Sequence, residues 1–173
     1  MAADTFTTSV QALQITIATS LIFIGGLSSC LSLWIMPLTA RLAPRPACAQ
    51  FTQTVTWGFR YLQPSSQLLA ISLLATTLLT SQLPDPAHAH AWKTWAAALA
   101  ALVPVAPYEV YAIFPLNARV RQIGEDLEGE KEREGKDVEE ELKGLFGSWK
   151  VWNWGRVVMP VAAGMIGWWG VVR

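Results

Sequence analysis

Four stretches of this chain are long, apolar and almost free of charge, and few folds are compatible with that. They run from about Ala12 to Thr39, Trp57 to Leu83, Trp92 to Pro115 and Trp149 to Val172. A helix needs about 20 apolar residues to cross a bilayer, and each stretch supplies them. Within the second, Leu68 to Leu79 offers water only Ser72, Thr76 and Thr77. A soluble bundle would show a polar face every third or fourth residue, whereas small hydroxyls can bond back to their own helix and are tolerated in lipid. The expectation is an all-α fold: an integral-membrane four-helix bundle, one domain over residues 1–173, with helices at about 12–39, 57–83, 92–115 and 149–172. The first stretch has no basic residue ahead of it and continues through "GGLSSCLSLWIMP". It therefore reads as a retained helix rather than a cleaved signal.

Charge is segregated. Only 15% of the residues are charged, and ten of the thirteen acids fall between Glu125 and Glu141. That pattern predicts a charged cytosolic loop at about 116–148, a solvated linker or short exposed helix. Glu132 with Lys136 and Glu139 with Lys143 have the spacing of helix-supporting pairs, and Gly129 and Gly135 weaken such a helix. No basic stripe of the kind nucleic acid requires is present. Arg41, Arg45, Arg119, Arg121, Lys143 and Lys150 lie on the loops after the first and third helices, and only Lys93 and Arg173 on the opposite side. By the positive-inside rule both termini face the lumen or exterior. Trp149, Trp152, Trp154, Trp168 and Trp169 have the placement of interfacial anchors.

Against this apolar background stands "APYEVYAIFPLNARVRQ", which carries Glu109 inside the third stretch. Glu109 lies about six residues, roughly 9 Å, from the cytosolic end, and Arg156 enters the fourth helix to about the same depth. Intramembrane ionisable groups face the bundle interior and find one another. A polar cluster around Glu109 and Arg156 is therefore expected, with Arg60, Asn117 and Asn153 near its mouth and Ser32 at a similar depth. Tyr108 and Tyr111 beside it suit a phenolic or enolic ligand. Pro64, Pro104, Pro107, Pro115 and Pro160 free backbone carbonyls, which a membrane protein tolerates where the backbone is buried or lines a cavity. A salt bridge that only fixes the bundle is the structural alternative.

Other signals are few. His88 and His90 with Asp85 are too few ligands for a metal site, Cys30 and Cys48 lie apart, and no phosphate loop, dinucleotide fingerprint or haem attachment sequence occurs. No bound cofactor or metal is expected.

"FIGGLSSCLSLWIMP", "PYEVYAIFPLNARV" and "LFGSWKVWNWGRVVMPVAAGMIGWW" resemble the small four-helix integral-membrane proteins that include the anthrone oxygenases of fungal polyketide pathways. The resemblance implies oxidation of an anthrone to an anthraquinone with molecular oxygen as co-substrate and no bound cofactor, on a small aromatic polyketide. It implicates Pro115, Asn117, Trp149 and Arg156. Glu109 departs from the pattern, where a small hydroxyl residue is expected. The endoplasmic reticulum is the membrane the resemblance implies. From the residues, Glu109 is the candidate base, and Arg156, with Arg60 or Asn117, the candidate holder of an oxyanion. The reading from another class is a non-catalytic membrane scaffold that holds pathway enzymes at its charged loop.

Overall fold

Apolar runs in lipid can satisfy their backbone only within themselves, so they must be helices. The computed structural model describes residues 2–83, 85, 89–129 and 135–172, and side chains from Thr5 onward. Among these the chain is all helix, without strands. Four helices are long and apolar enough to cross a membrane: Thr5–Thr39, Pro44–Ser81, Trp92–Gly129 and Lys136–Val172. Ala43, extended at φ −60° and ψ 156°, sets the start of the second. The residue before a proline is driven out of the helical region, and Pro44 then fits the first turn, where its missing N–H costs nothing.

The helices reach further than the apolar stretches do. The segment read as a charged loop at 116–148 is helical over Phe114–Gly129 and Lys136–Trp152. The reason is an apolar stripe beneath the charges. Val120, Ile123 and Leu127 on one segment and Leu142, Phe146 and Trp149 on the other are buried at helical spacing. Ala47, Cys48, Phe51 and Val55 bury the matching face of the second helix, which begins 13 residues before Trp57. Glu139 and Lys143 form the expected pair at 2.6 Å, while Glu132 lies outside the described residues.

Three of the four helices carry a π-helical turn: Leu31–Ile35, Gly58–Leu62 and Glu109–Ile113. In each, the N–H that follows the turn reaches back five residues, from Met36 to Leu31, Gln63 to Gly58 and Phe114 to Glu109. A proline comes next every time, at Pro37, Pro64 and Pro115. Proline cannot donate to the carbonyl four residues back, and its ring crowds that carbonyl. The wider π turn relieves the crowding. The fourth helix breaks instead at Asn153 and Trp154, with Pro160 six residues beyond the last of them.

Each helix contributes to two compact units. The first comprises Met1–Gly26, Pro64–Val105 and Val157–Arg173. Its core gathers Ile17, Leu21, Leu73, Trp95, Leu102 and Ala163, and Gln14 Nε2 donates to Thr80 Oγ1 at 2.8 Å. A β-carbon on Gly164 would lie 2.8 Å from the Ala18 carbonyl, and one on Gly167 2.9 Å from the Trp95 ring. Lipid tails give helices no hydrophobic reason to associate, so close approach over small residues supplies the packing.

The second unit comprises Leu27–Gln63 and Ala106–Arg156. Phe51 is its centre. The ring stacks on Phe146 at 5.4 Å and meets Trp149 edge-on at 5.8 Å. Arg119 binds Glu141 at 2.6 Å on the surface, where both side chains are more than 40% exposed. Such a pair contributes about 0–1 kcal/mol, so the apolar stripe, not the charges, holds this unit.

Candidate active site

Glu109 is the first residue of its π turn, and Arg156 is the second residue after the fourth helix resumes at Gly155. Both irregularities sit in the second unit. They bring Arg156 Nε to 2.6 Å from Glu109 Oε1, with the two side chains 16% and 14% exposed. Taking two charges out of water costs several kcal/mol per ion, and close opposite charge with a hydrogen bond is what offsets it. The sequence-based pairing of these residues is thus the observed geometry.

The pair opens on a cavity of about 20 Å³ whose wall includes Asn117, Trp149, Thr54, Gly58 and Phe114. That is room for roughly one water molecule. Trp149 Nε1 donates to Asn117 Oδ1 at 2.9 Å, which fixes the amide so that its NH2 group points the other way. A carboxylate, a guanidinium and an amide therefore line the same small space. Trp149 is 1% exposed, so it is a core residue rather than the interfacial anchor its position in the sequence implied. Trp152, Trp154 and Trp169 are the exposed ones.

The break in the fourth helix leaves two carbonyls without their usual partners. The Trp154 N–H bonds to Val151 O rather than Lys150 O, and the Arg156 N–H bonds to Asn153 O rather than Trp152 O. Ser32 Oγ donates to Lys150 O at 3.1 Å, and the Tyr108 hydroxyl donates to Trp152 O. Asn153 Nδ2 in turn donates to Ser32 Oγ at 2.8 Å and to Ser28 O at 2.9 Å. Asn153 is fully buried, so it lies in the frame behind the site rather than at its mouth.

Three expected members are placed elsewhere. Arg60 is exposed, its guanidinium 5.7 Å over the Tyr61 ring. Tyr111 is 82% exposed; it follows Glu109 by two residues and so points to another face of its turn. Tyr108 is held by the Trp152 carbonyl and packs against Gly155, where a β-carbon would fall 2.4 Å from its ring. Its hydroxyl closes the helix break. Of the weak metal set, His88 lies outside the described residues.

The sequence reading missed Thr54 and Gly58 in the wall and the π turns that aim Glu109. A signal was available: each π turn starts six residues before a proline. Among the described residues the chain is all helix, with four helices long and apolar enough to cross a membrane and a part-buried acid–guanidinium pair between two of them, the make-up of an integral-membrane helical protein with a polar site. The family model of the anthrone oxygenases matches residues 51–166, and the chain belongs to that family. The matched segment contains Glu109, Asn117, Trp149 and Arg156. No curated protein and no solved structure matches the chain.

Proposed function

We propose that the protein is a membrane-bound oxygenase that converts an anthrone-type polyketide to an anthraquinone with molecular oxygen, without a bound cofactor, in fungal secondary metabolism. The observation that carries the reading is the 2.6 Å Glu109–Arg156 pair facing a cavity lined by Asn117 and Trp149, in a chain of this family. An anthrone has a methylene carbon between two aromatic rings, and loss of its proton gives a delocalised enolate. Glu109 takes that proton. The guanidinium that neutralised the carboxylate then neutralises the enolate oxygen, with the Asn117 amide as a second donor. The site's net charge is the same before and after the transfer, so no charge is left uncompensated in a dry space.

The enolate passes one electron to oxygen, the resulting radicals combine into a hydroperoxide at the methylene carbon, and loss of water with the second C–H proton leaves the carbonyl. One oxygen atom enters the quinone and the other leaves as water. The partners in this reading are the bilayer and a small aromatic polyketide; nucleic acid is not among them, and other pathway enzymes would meet the cytosolic charged helices. The reading places the protein in the endoplasmic reticulum with both termini lumenal.

The test is oxygen uptake and product analysis on membranes containing the protein, supplied with emodin anthrone, with spontaneous air oxidation as the blank. Quinone formation above the blank, lost in Glu109→Gln and in Arg156→Ala, is expected. Full turnover by Glu109→Gln would overturn the assignment of the base.

A further inference from the structure

A cavity of about 20 Å³ cannot contain a three-ring molecule, so a site built only from that cavity would exclude its own substrate. Beside it lies a groove of about 520 Å³, within the ~300–1,000 Å³ of pockets that hold small organic ligands. The two share Leu31, Thr54 and Gly58 in their walls. On its open side the groove is bordered by Trp57 and Tyr61, which are 57% and 50% exposed, with ring centroids 5.2 Å apart. A β-carbon placed on Gly58 would meet no atom within 4 Å. Gly58, which lines both groove and cavity, therefore has open space where a side chain would stand.

We propose that this groove is the binding site for the body of a flat polycyclic aromatic ketone, which enters from the side and presents its reactive edge to the Glu109–Arg156 cavity across the Leu31–Thr54–Gly58 seam. The inference rests on the oxygenase reading for the identity of the occupant. Aromatic walls favour a flat ring system over an acyl chain, because stacking on Trp57 and Tyr61 adds directional attraction that a flexible chain does not gain. Gln50 and Gln53 lie in the same groove and supply amide donors and acceptors for ring hydroxyls. An amphiphilic aromatic of this kind concentrates at the membrane–water interface, the depth that Trp and Tyr also prefer. Entry from the side thus draws on the membrane-enriched pool and leaves the carboxylate away from bulk water.

The experiment is photolabelling of the full-length protein in phosphatidylcholine nanodiscs with a diazirine-bearing anthraquinone, followed by peptide mapping. Labelling on the peptide carrying Trp57 and Tyr61 is expected, saturable and competed by excess unlabelled anthraquinone. Gly58→Leu, which fills the open space, should cut that labelling at least tenfold and raise the KM for an anthrone by a similar factor. Gly58→Leu should keep the parental melting temperature in the same nanodiscs, which separates a blocked groove from a misfolded protein. Labelling that does not saturate, that phospholipid competes equally well, or that survives Gly58→Leu would overturn the proposal, the second outcome marking the groove as a lipid site. The labelling arm requires no turnover. Failure of the wild-type protein to oxidise any anthrone would therefore sink the oxygenase reading, whereas loss of saturable labelling would sink the groove alone.

Discussion

Asn153 shows how one side chain can hold a helix in a shape it would not otherwise keep. Both of its bonds, to Ser28 O and Ser32 Oγ, are made in full burial, and Ser32 passes the connection on to the Lys150 carbonyl. Asn153→Ala removes the donor and with it both buried hydrogen bonds, although Ser32 Oγ keeps its bond to Lys150 O. A loss of about 0.5–1.5 kcal/mol per hydrogen bond follows, to be read as a lower thermal midpoint of the purified protein. Arg156→Ala should cost more, up to about 3–5 kcal/mol, since it leaves the part-buried Glu109 without its counter-charge; Glu109→Gln, which keeps a neutral group of the same shape beside Arg156, should fold better than Arg156→Ala while losing turnover. The ion pair was legible in the sequence because two charged residues at matching depth in an apolar chain have almost no other partner to choose. The frame was not. Asn153 and Tyr108 look like site residues by type and position, and only the break in the fourth helix shows that Tyr108 answers an orphaned carbonyl directly and Asn153 through Ser32.

At the scale of elements, the proline-linked π turns decide which way side chains point. A π turn holds one extra residue, so restoring an α-helix through Glu109–Ile113 would rotate Glu109 by roughly 100° relative to the residues beyond Pro115. Pro115→Ala gives the helix back its donor and removes the crowding, at a gain in helix propensity of up to about 3 kcal/mol. The variant should therefore be at least as stable as the parent, yet turn over at least tenfold more slowly. Unchanged turnover, measured on protein of parental melting temperature, would show that the π turn does not aim the carboxylate. Hydropathy reveals that Leu31–Ile35, Gly58–Leu62 and Glu109–Ile113 lie in apolar helices, but it has no term for the hydrogen-bond register. The charged segment teaches the reverse lesson. Its acids dominate the composition, and the apolar stripe of Val120, Ile123, Leu127, Leu142 and Phe146 is only five residues among them, so a reading weighted by charge described a solvated linker or short exposed helix where the chain builds longer helices with a buried face.

For the whole molecule, the two units are held by different forces and should fail differently. The unit centred on Phe51 has an ordinary close-packed aromatic core, and Phe51→Ala should destabilise it by about 3–5 kcal/mol. The unit that contains Gly164 and Gly167 depends on close approach in lipid. Gly164→Val would overpack against the Ala18 carbonyl and Ile22, at a cost of about 1–3 kcal/mol; in membranes that cost should appear as reduced yield of folded protein, with the KM of the folded fraction unchanged. The number of membrane helices was legible because lipid permits so little else. The division into two units was not, since every helix contributes to both.

One consequence of the Glu109–Arg156 pair concerns exchange of its partners. The fold requires only that opposite charges meet there, and either helix could supply either sign. The proposed chemistry has a direction: in it the proton acceptor stands on the π turn and the cation on the resumed fourth helix. In the double variant Glu109→Arg with Arg156→Glu, the neutrality of the site would be retained and its polarity inverted. Such a protein should melt closer to the parent than either single charge reversal does, and be catalytically dead. It would be an inactive mirror of the site in which stability and activity, otherwise tied to the same two residues, come apart.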